Sequence, residues 1–323
     1  MVNAHVARPL ATLVEAQGPT PEAPGHASFC VQEPCDAVAL VHALVGGKAA
    51  ASRLFQAQQV VYDGAPLARQ QALAPGDKVT VVLRGADAAR LSSAKAALSP
   101  ANVLYQDTFM LAAEKPAGIL VHGDGTDVET LTDSVACALA QQGSAAVPQA
   151  LHRLDVDTSG IVLFSLAEEF QPAFDALVAG DGLTKRYYAL VEGSLEDARG
   201  LRRMPCEDGW HVMSAPIARD RHDARRMRVG RTGKEAVTRL RTVGRDGARS
   251  LVEAELVTGR RHQIRVHLAY LGLPIVGDTL YGGVRNPAGL MLHAHEVRFA
   301  HPLTGELVHV TSPFSRMEET ARS

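Results

Sequence analysis

His152-Arg153-Leu154-Asp155-Val156-Asp157-Thr158-Ser159-Gly160 runs directly into Ile161-Val162-Leu163-Phe164. The first nine residues hold an imidazole, a guanidinium, two carboxylates and two hydroxyls. A polar cluster feeding a continuous apolar run reads as a loop entering a buried strand. Loops held against a rigid sheet are where reacting side chains tend to be presented. Asp155, between Leu154 and Val156, is therefore a candidate nucleophile, general base or buried structural anion. The plainer alternative is that Asp155 or Asp157 caps a turn through Thr158 and Ser159. Arg153 shares a side with Asp155 if the segment is extended. There it either holds the carboxylate ionised or reaches outward to a phosphate or base. His152 with Asp155 or Asp157 resembles half of a metal site, but no third and fourth ligand stand nearby.

A second constellation is Gly259-Arg260-Arg261-His262-Gln263-Ile264-Arg265-Val266-His267-Leu268. Ile264, His267, Leu268 and Leu271 have helical spacing, which predicts a helix over 263–271. If the helix includes residue 261, Arg261 and Arg265 lie one turn apart on one face. Arg265, between Ile264 and Val266, is placed for burial, and a buried guanidinium needs a carboxylate partner. Asp155 is the candidate; solvated arginines are the alternative. A third constellation, Lys185-Arg186-Tyr187-Tyr188, opens a predicted strand whose alternation puts Lys185 and Tyr187 on one face. A tyrosine there stacks on a base or moves a proton, or simply fills the core.

The rest of the chain frames these stretches. Its 323 residues are enough for two domains, and 46% apolar with 21% charged residues is ordinary for a globular protein. No apolar run approaches the length that spans a bilayer, and Met1 to Pro24 lacks the pattern of a secretory signal. A cytoplasmic location is expected. Cys30, Cys35, Cys137 and Cys206 are scattered and read as reduced thiols rather than a metal site. Residues 1–27 read as a loose leader. Residues 28–84 read as a small module with helices at Asp36–Val45 and Ala49–Gln56 and strands at Val60–Tyr62 and Lys78–Leu83. Residues 85–100 read as a linker, and residues 101–323 as a longer α+β domain. There, strands are expected near Leu104, Phe109–Ala113, Ile161–Ser165, Tyr187–Val191, Ala236–Arg241 and Leu251–Leu256. A helix is expected over Leu131–Ala140. The expected fold is α+β, with a mixed, mainly antiparallel central sheet and flanking helices.

Net charge is only −2, yet residues 219–241 carry nine Arg or Lys against three Asp or Glu. Such a stretch is either a solvated hairpin face or a surface for phosphates.

Together the three constellations resemble the RluA-type family of pseudouridine synthases. The family's His-Arg-Leu-Asp-x-x-Thr-Ser-Gly loop is matched by 152–160, its Lys-x-Tyr by Lys185 and Tyr187, and its Gly-Arg-x-His-Gln-Ile-Arg-x-His by 259–267. Glu114-Lys115-Pro116-Ala117-Gly118, Gly233 to Thr238, Pro274 to Asp278, Leu280-Tyr281-Gly282 and Leu292-His293-Ala294 follow the family order across about residues 101–315. The resemblance implies isomerisation of uridine to pseudouridine within ribosomal or transfer RNA, with no cofactor and no metal, by a monomer. It implies Asp155 as the catalytic carboxylate, Arg265 as its partner and Tyr187 against the uracil. His152, Arg153, Lys185, Arg261, His262 and Gln263 are implied to contact substrate. Arg153 would fill the gap left by a flipped nucleotide. The module is similar to the RNA-binding domain shared by a small-subunit ribosomal protein and tyrosyl-tRNA synthetases, carried by Ser52 to Phe55, Val60 to Gly64 and Leu73 to Val79. It departs from that domain in having few Lys and Arg near its helices. The competing readings are a non-catalytic RNA-binding or ribosome-assembly factor, and a metal-free hydrolase that uses His152 and Asp155.

Overall fold

A computed structural model of the chain describes residues 14–17, 25–83, 99–123, 125, 128–198, 202–203 and 209–314. Most of the expected linker, 85–98, lies outside the described residues, as does Cys206. Cys30, Cys35 and Cys137 are in no disulfide among the described residues.

The N-terminal module contains β1 (Val14–Gln17), β2 (His26–Val31), β3 (Cys35–Asp36), α1 (Ala37–Val45), α2 (Lys48–Gln56), β4 (Val60–Tyr62), β5 (Ala65–Pro66), β6 (Ala72–Leu73) and β7 (Lys78–Val82). Asp36 starts α1 by accepting the Ala39 N–H at 2.8 Å, which satisfies one of the helix's open donors. The expected leader is corrected at Val14–Gln17. This segment pairs antiparallel with β2 and buries Val14, although only one of its four residues is strongly apolar. Pairing supplied by β2, not local pattern, makes it a strand.

The larger part contains β8 (Asn102–Gln106), β9 (Met110–Lys115), α3 (Leu131–Gln141), β10 (Gln149–Ala150), β11 (Ser159–Ser165), α4 (Gln171–Ala179) and β12 (Thr184–Glu192). It continues with β13 (Arg202–Arg203), β14 (His211–Ser214), β15 (Ile217–Arg219), β16 (Met227–Val229), β17 (Val237–Asp246), β18 (Arg249–Leu256), α5 (Gln263–Tyr270), β19 (Leu292–Ala300) and β20 (Leu307–Thr311). Among the described residues, the central sheet runs β13-β14-β17-β18-β12-β19-β11-β9-β8, with β10 on β11 and β20 on β19. The β11–β19 pair is parallel and the others are antiparallel. The fold is thus the expected α+β arrangement. Thr130 caps α3 and shares a reciprocal capping box with Asp133.

β11 is buried on both faces, which explains its unbroken apolar run. Ile161 and Leu163 join a core with the module, α4 and Phe109. Val162 and Phe164 join a second core with α3, α5 and Tyr187. The module is therefore seated on one sheet face. Phe29 stacks on Phe109 and meets Phe170 edge-on, with ring centroids 6.1 and 5.8 Å apart. The other face carries the polar loop that precedes β11.

Gly160, the second residue of β11, sits at φ +114, and a Cβ there would lie 2.2 Å from the Ala294 carbonyl oxygen. Only glycine permits this approach of β11 to β19. Gly160→Ala is expected to destabilise the protein by at least about 3 kcal/mol. Urea unfolding of the purified variant measures this directly.

Candidate active site

The loop 151–158 is fixed from several sides before any substrate arrives. Leu151 N–H donates to the Leu163 carbonyl, and Leu163 N–H donates to His152 Nε2 at 3.2 Å. The His152 imidazole is thereby neutral, and burial with the nearby Lys185 charge pushes its pKa down to about 3. Fully buried Lys115 donates to the carbonyls of Pro116, Ile119 and Val156 at 2.9, 2.9 and 2.7 Å. Gly118 N–H also donates to Val156 O. Ser159 Oγ is hydrogen-bonded to His293 Nδ1 at 2.9 Å.

Asp155 does not cap the turn with its carboxylate; its backbone carbonyl accepts the Thr158 N–H instead. Its side chain meets α5. Arg265 Nη1 donates to Asp155 Oδ2 at 3.3 Å, joining segments 110 residues apart. The same guanidinium is held in a two-bond fork by Asp278, with Nε on Oδ2 at 2.7 Å and Nη2 on Oδ1 at 2.8 Å. Burial works against the Arg265 charge. The bonds and charge of Asp278, with the charge of Asp155, outweigh it and hold its pKa above the ordinary value. His262 Nε2 lies 3.7 Å from Asp155 Oδ2, and its Nδ1 is hydrogen-bonded to the Tyr281 hydroxyl at 2.7 Å. His262 takes a left-handed backbone, φ +57, at the start of α5. Strain of this kind in a non-glycine residue is concentrated at functional sites.

These groups edge a cavity of about 880 Å³, large enough for a small organic ligand. His152, Arg153, Asp155, Lys185, Tyr187, His262 and Arg265 all contribute to its wall. Strand alternation does place Lys185 and Tyr187 on that wall together. Tyr187 is buried, and burial together with the Asp155 charge raises its phenol pKa. Burial lowers the Lys185 pKa. Arg153 is exposed and makes no ion pair among the described residues.

The expectation that Arg261 shares a helix face with Arg265 is corrected. Arg261 is not on α5, which begins at Gln263; it sits in the preceding turn and donates from Nη2 to the Arg225 carbonyl at 3.2 Å. Gln263 lines the cavity, but its amide is fully engaged within the protein. Nε2 donates to Val237 O and Thr238 Oγ1, and Oε1 accepts from Thr258 Oγ1 and Arg260 N–H. Two donors and two lone pairs are thus engaged within the protein.

The basic stretch 219–241 also divides. Arg219, Arg221, Arg225, Arg226 and Arg228 are exposed on the β15–β16 hairpin. Arg239 and Arg241 instead pair with Glu255 and Glu253 and lie over the Trp210 ring. No cluster of three or more His, Cys, Asp or Glu suited to a metal occurs among the described residues.

The family model for RNA pseudouridylate synthase matches residues 110–270, which contain the loop, α5 and all the residues named above on the cavity wall. A Bacillus subtilis (strain 168) protein named uncharacterized RNA pseudouridine synthase YhcT is 34% identical over 261 residues, covering 80% of this chain and 82% of its own. This chain belongs to the RNA pseudouridine synthase family. It is accordingly an isomerase. The ribosomal large subunit pseudouridine synthase D of Xanthomonas campestris pv. campestris is 37% identical over 232 residues, 66% of each chain. The solved structure of human RNA pseudouridylate synthase domain containing 1 superposes with a TM-score of 0.51 at 26% identity, covering 67% of this chain and 84% of that one.

In this synthase, Asp278, Tyr281 and Lys115 complete the site, although nothing in their local sequence marks them for a role of their own. Asp278 and Tyr281 share the turn Ile275–Gly283, and only the fold brings that turn to α5. Asp278→Ala leaves the buried Arg265 with one weaker partner. It is expected to cost about 3 kcal/mol of stability in urea titrations.

Burial holds the pKa of His152, His262, His267, His295 and His301 below the ordinary imidazole value. The unfolded chain binds protons at these groups more readily, so stability falls as pH drops below the ordinary value of 6.5. Thermal scans from pH 7 to pH 5 are expected to show a falling midpoint, and His152→Gln a shallower fall.

Proposed function

We propose that Asp155 is the catalytic carboxylate for converting specific uridines to pseudouridine in structured RNA, ribosomal RNA first and transfer RNA second. The observation that carries this reading is the contrast between the two carboxylates on Arg265. The Asp278 side chain is 1% exposed and forked onto the guanidinium, whereas the Asp155 side chain is 28% exposed at the cavity and takes one longer bond. Asp278 neutralises the arginine; Asp155 is left accessible to a substrate.

The reaction breaks a glycosidic nitrogen–carbon bond, turns the uracil and forms a carbon–carbon bond. It is balanced without a redox partner, cofactor or metal. Asp155 either attacks the anomeric carbon of the ribose or removes a neighbouring proton. Both routes act through the Asp155 carboxylate, whose Oδ2 accepts from Arg265 Nη1 at 3.3 Å. Tyr187 packs on the uracil. The target nucleotide leaves the RNA stack at a cost of a few kcal/mol. The exposed, unpaired Arg153 guanidinium stands at the cavity wall, where it fills the vacated gap. Lys185 and the hairpin arginines contact phosphates, for which clustered cations provide affinity that falls with salt. The ribosomal substrate is favoured by the name of the Xanthomonas relative, ribosomal large subunit pseudouridine synthase D. The protein is proposed to work as a monomer in the cytoplasm; no single helix among the described residues is long and apolar enough to cross a membrane.

Asp155→Asn removes the charge and keeps the shape. On transcripts of large-subunit ribosomal RNA and a transfer RNA pool, it is expected to lower pseudouridine formation at least about 1,000-fold, as read by carbodiimide-adduct primer extension. Pseudouridine formed by the variant at the wild-type rate overturns the role of Asp155. Full rescue of a deletion strain by Asp155→Asn supports a non-catalytic assembly factor instead, and release of free uracil supports a hydrolase.

A further inference from the structure

Tyr281 is 7% exposed and is not among the residues that line the cavity, yet it touches both halves of the site. Its hydroxyl accepts the backbone N–H of Met227, on β16 of the basic hairpin, at 2.8 Å. The same hydroxyl is hydrogen-bonded to His262 Nδ1 at 2.7 Å. Its ring lies against two guanidinium groups, with the Cζ of Arg265 at 5.1 Å and the Cζ of Arg226 at 5.4 Å. One of these arginines partners Asp155, and the other is exposed on the hairpin.

The turn that carries Tyr281 is closely packed and internally hydrogen-bonded. Gly277 sits at φ +83, and a Cβ there would lie 1.9 Å from the Gly289 carbonyl oxygen. Tyr281 N–H donates to Asp278 O at 3.0 Å. One turn therefore delivers Asp278 to Arg265 and Tyr281 to His262. The hairpin base is packed into the same place, because Ile217, Ala236, Val266 and Tyr281 form a small apolar cluster with Met227 and Val229 against it. The Arg261–Arg225 hydrogen bond ties the hairpin to the start of α5 a second time.

We infer that Tyr281 is a positioning residue that couples the basic hairpin to the two groups facing Asp155, Arg265 and His262. An RNA phosphate gripped by Arg221, Arg225 or Arg226 draws on the hairpin, and the displacement reaches the site through one hydroxyl and one ring. RNA docking and alignment of the carboxylate are then a single event, with the site completed on RNA that fills the hairpin as well as the cavity. The inference rests on the proposed role of Asp155.

The test uses the full chain with a large-subunit ribosomal RNA transcript under single-turnover conditions at saturating enzyme. Tyr281→Phe keeps the ring and removes only the hydroxyl. It is expected to slow conversion about tenfold while RNA affinity stays within about twofold, because the lost bonds act on alignment and not on docking. Ring-nitrogen signals of His262, followed by NMR, are expected to move when RNA is added to wild type and to stay fixed in Tyr281→Phe. Arg226→Ala added to Tyr281→Phe is expected to slow conversion less than the product of the single effects. An unchanged rate, multiplicative effects, or His262 signals that respond equally in both proteins overturn the coupling. Arg226→Ala alters an exposed side chain, so it decides the matter even if Tyr281→Phe does not fold. A slower step at saturation supports coupling, and a loss confined to RNA affinity refutes it. Asp155→Asn is run in parallel: an active Asp155→Asn defeats the catalytic reading, whereas an inactive one beside a fully active Tyr281→Phe defeats only the coupling.

Discussion

The guanidinium of Arg265 is the charge around which the site is organised. Desolvating such a group costs several kcal/mol, and a single partner seldom offsets that cost. Asp278 offsets most of it through a short, buried fork. Nη1 then remains directed at Asp155, 3.3 Å away. Two carboxylates on one cation thus have separate duties set by their surroundings. The buried one anchors the arginine. The accessible one takes a single bond from that arginine while facing the cavity. His262, in strained backbone at the helix start, adds a third contact near Asp155 and links it to Tyr281.

Holding Asp155 within reach of α5 depends on a loop that cannot drift. Lys115 gathers three carbonyls beneath it, His152 accepts a strand N–H, and Gly160 allows β11 to pass close to β19. β11 is in turn wedged between two apolar cores. The N-terminal module supplies much of one of them, through Phe29, Leu40 and Leu44. Its described residues 25–83 carry four Lys or Arg and four Asp or Glu, so its charge gives no general attraction to a polyanion. What the structure shows it doing is covering a sheet face that would otherwise expose apolar residues to water.

Charge along the sequence and charge in space differ. The nine basic residues of 219–241 read as one patch, but strand alternation and pairing separate them. Arg239 and Arg241 face glutamates across β18 and stack on Trp210. The arginines of the β15–β16 hairpin stay in solvent. The exposed arginines of the β15–β16 hairpin therefore stand apart from Arg239 and Arg241, and the hairpin base is pinned to the turn that holds Asp278.

Local pattern determined a good deal. The helices α1, α2, α3 and α5, and the strands carrying Ile161, Tyr187 and Leu251, follow from periodicity and caps, because those signals lie within a few residues of each other. The candidate residues Asp155, Tyr187, Lys185 and Arg265 stand out by type and spacing, and the structure places all four at one cavity. Partners distant along the chain were beyond that reading. Nothing near Arg265 indicates that Asp278, thirteen residues on, forks onto it, or that Gln263 spends its whole amide on Val237, Thr238, Thr258 and Arg260. Val14–Gln17 became a strand because β2 offered it an edge, and Arg261 left the helix face because α5 starts two residues later. A sequence displays which groups are available; burial and long-range pairing decide which of them remain unsatisfied, and those are the ones left to meet a substrate.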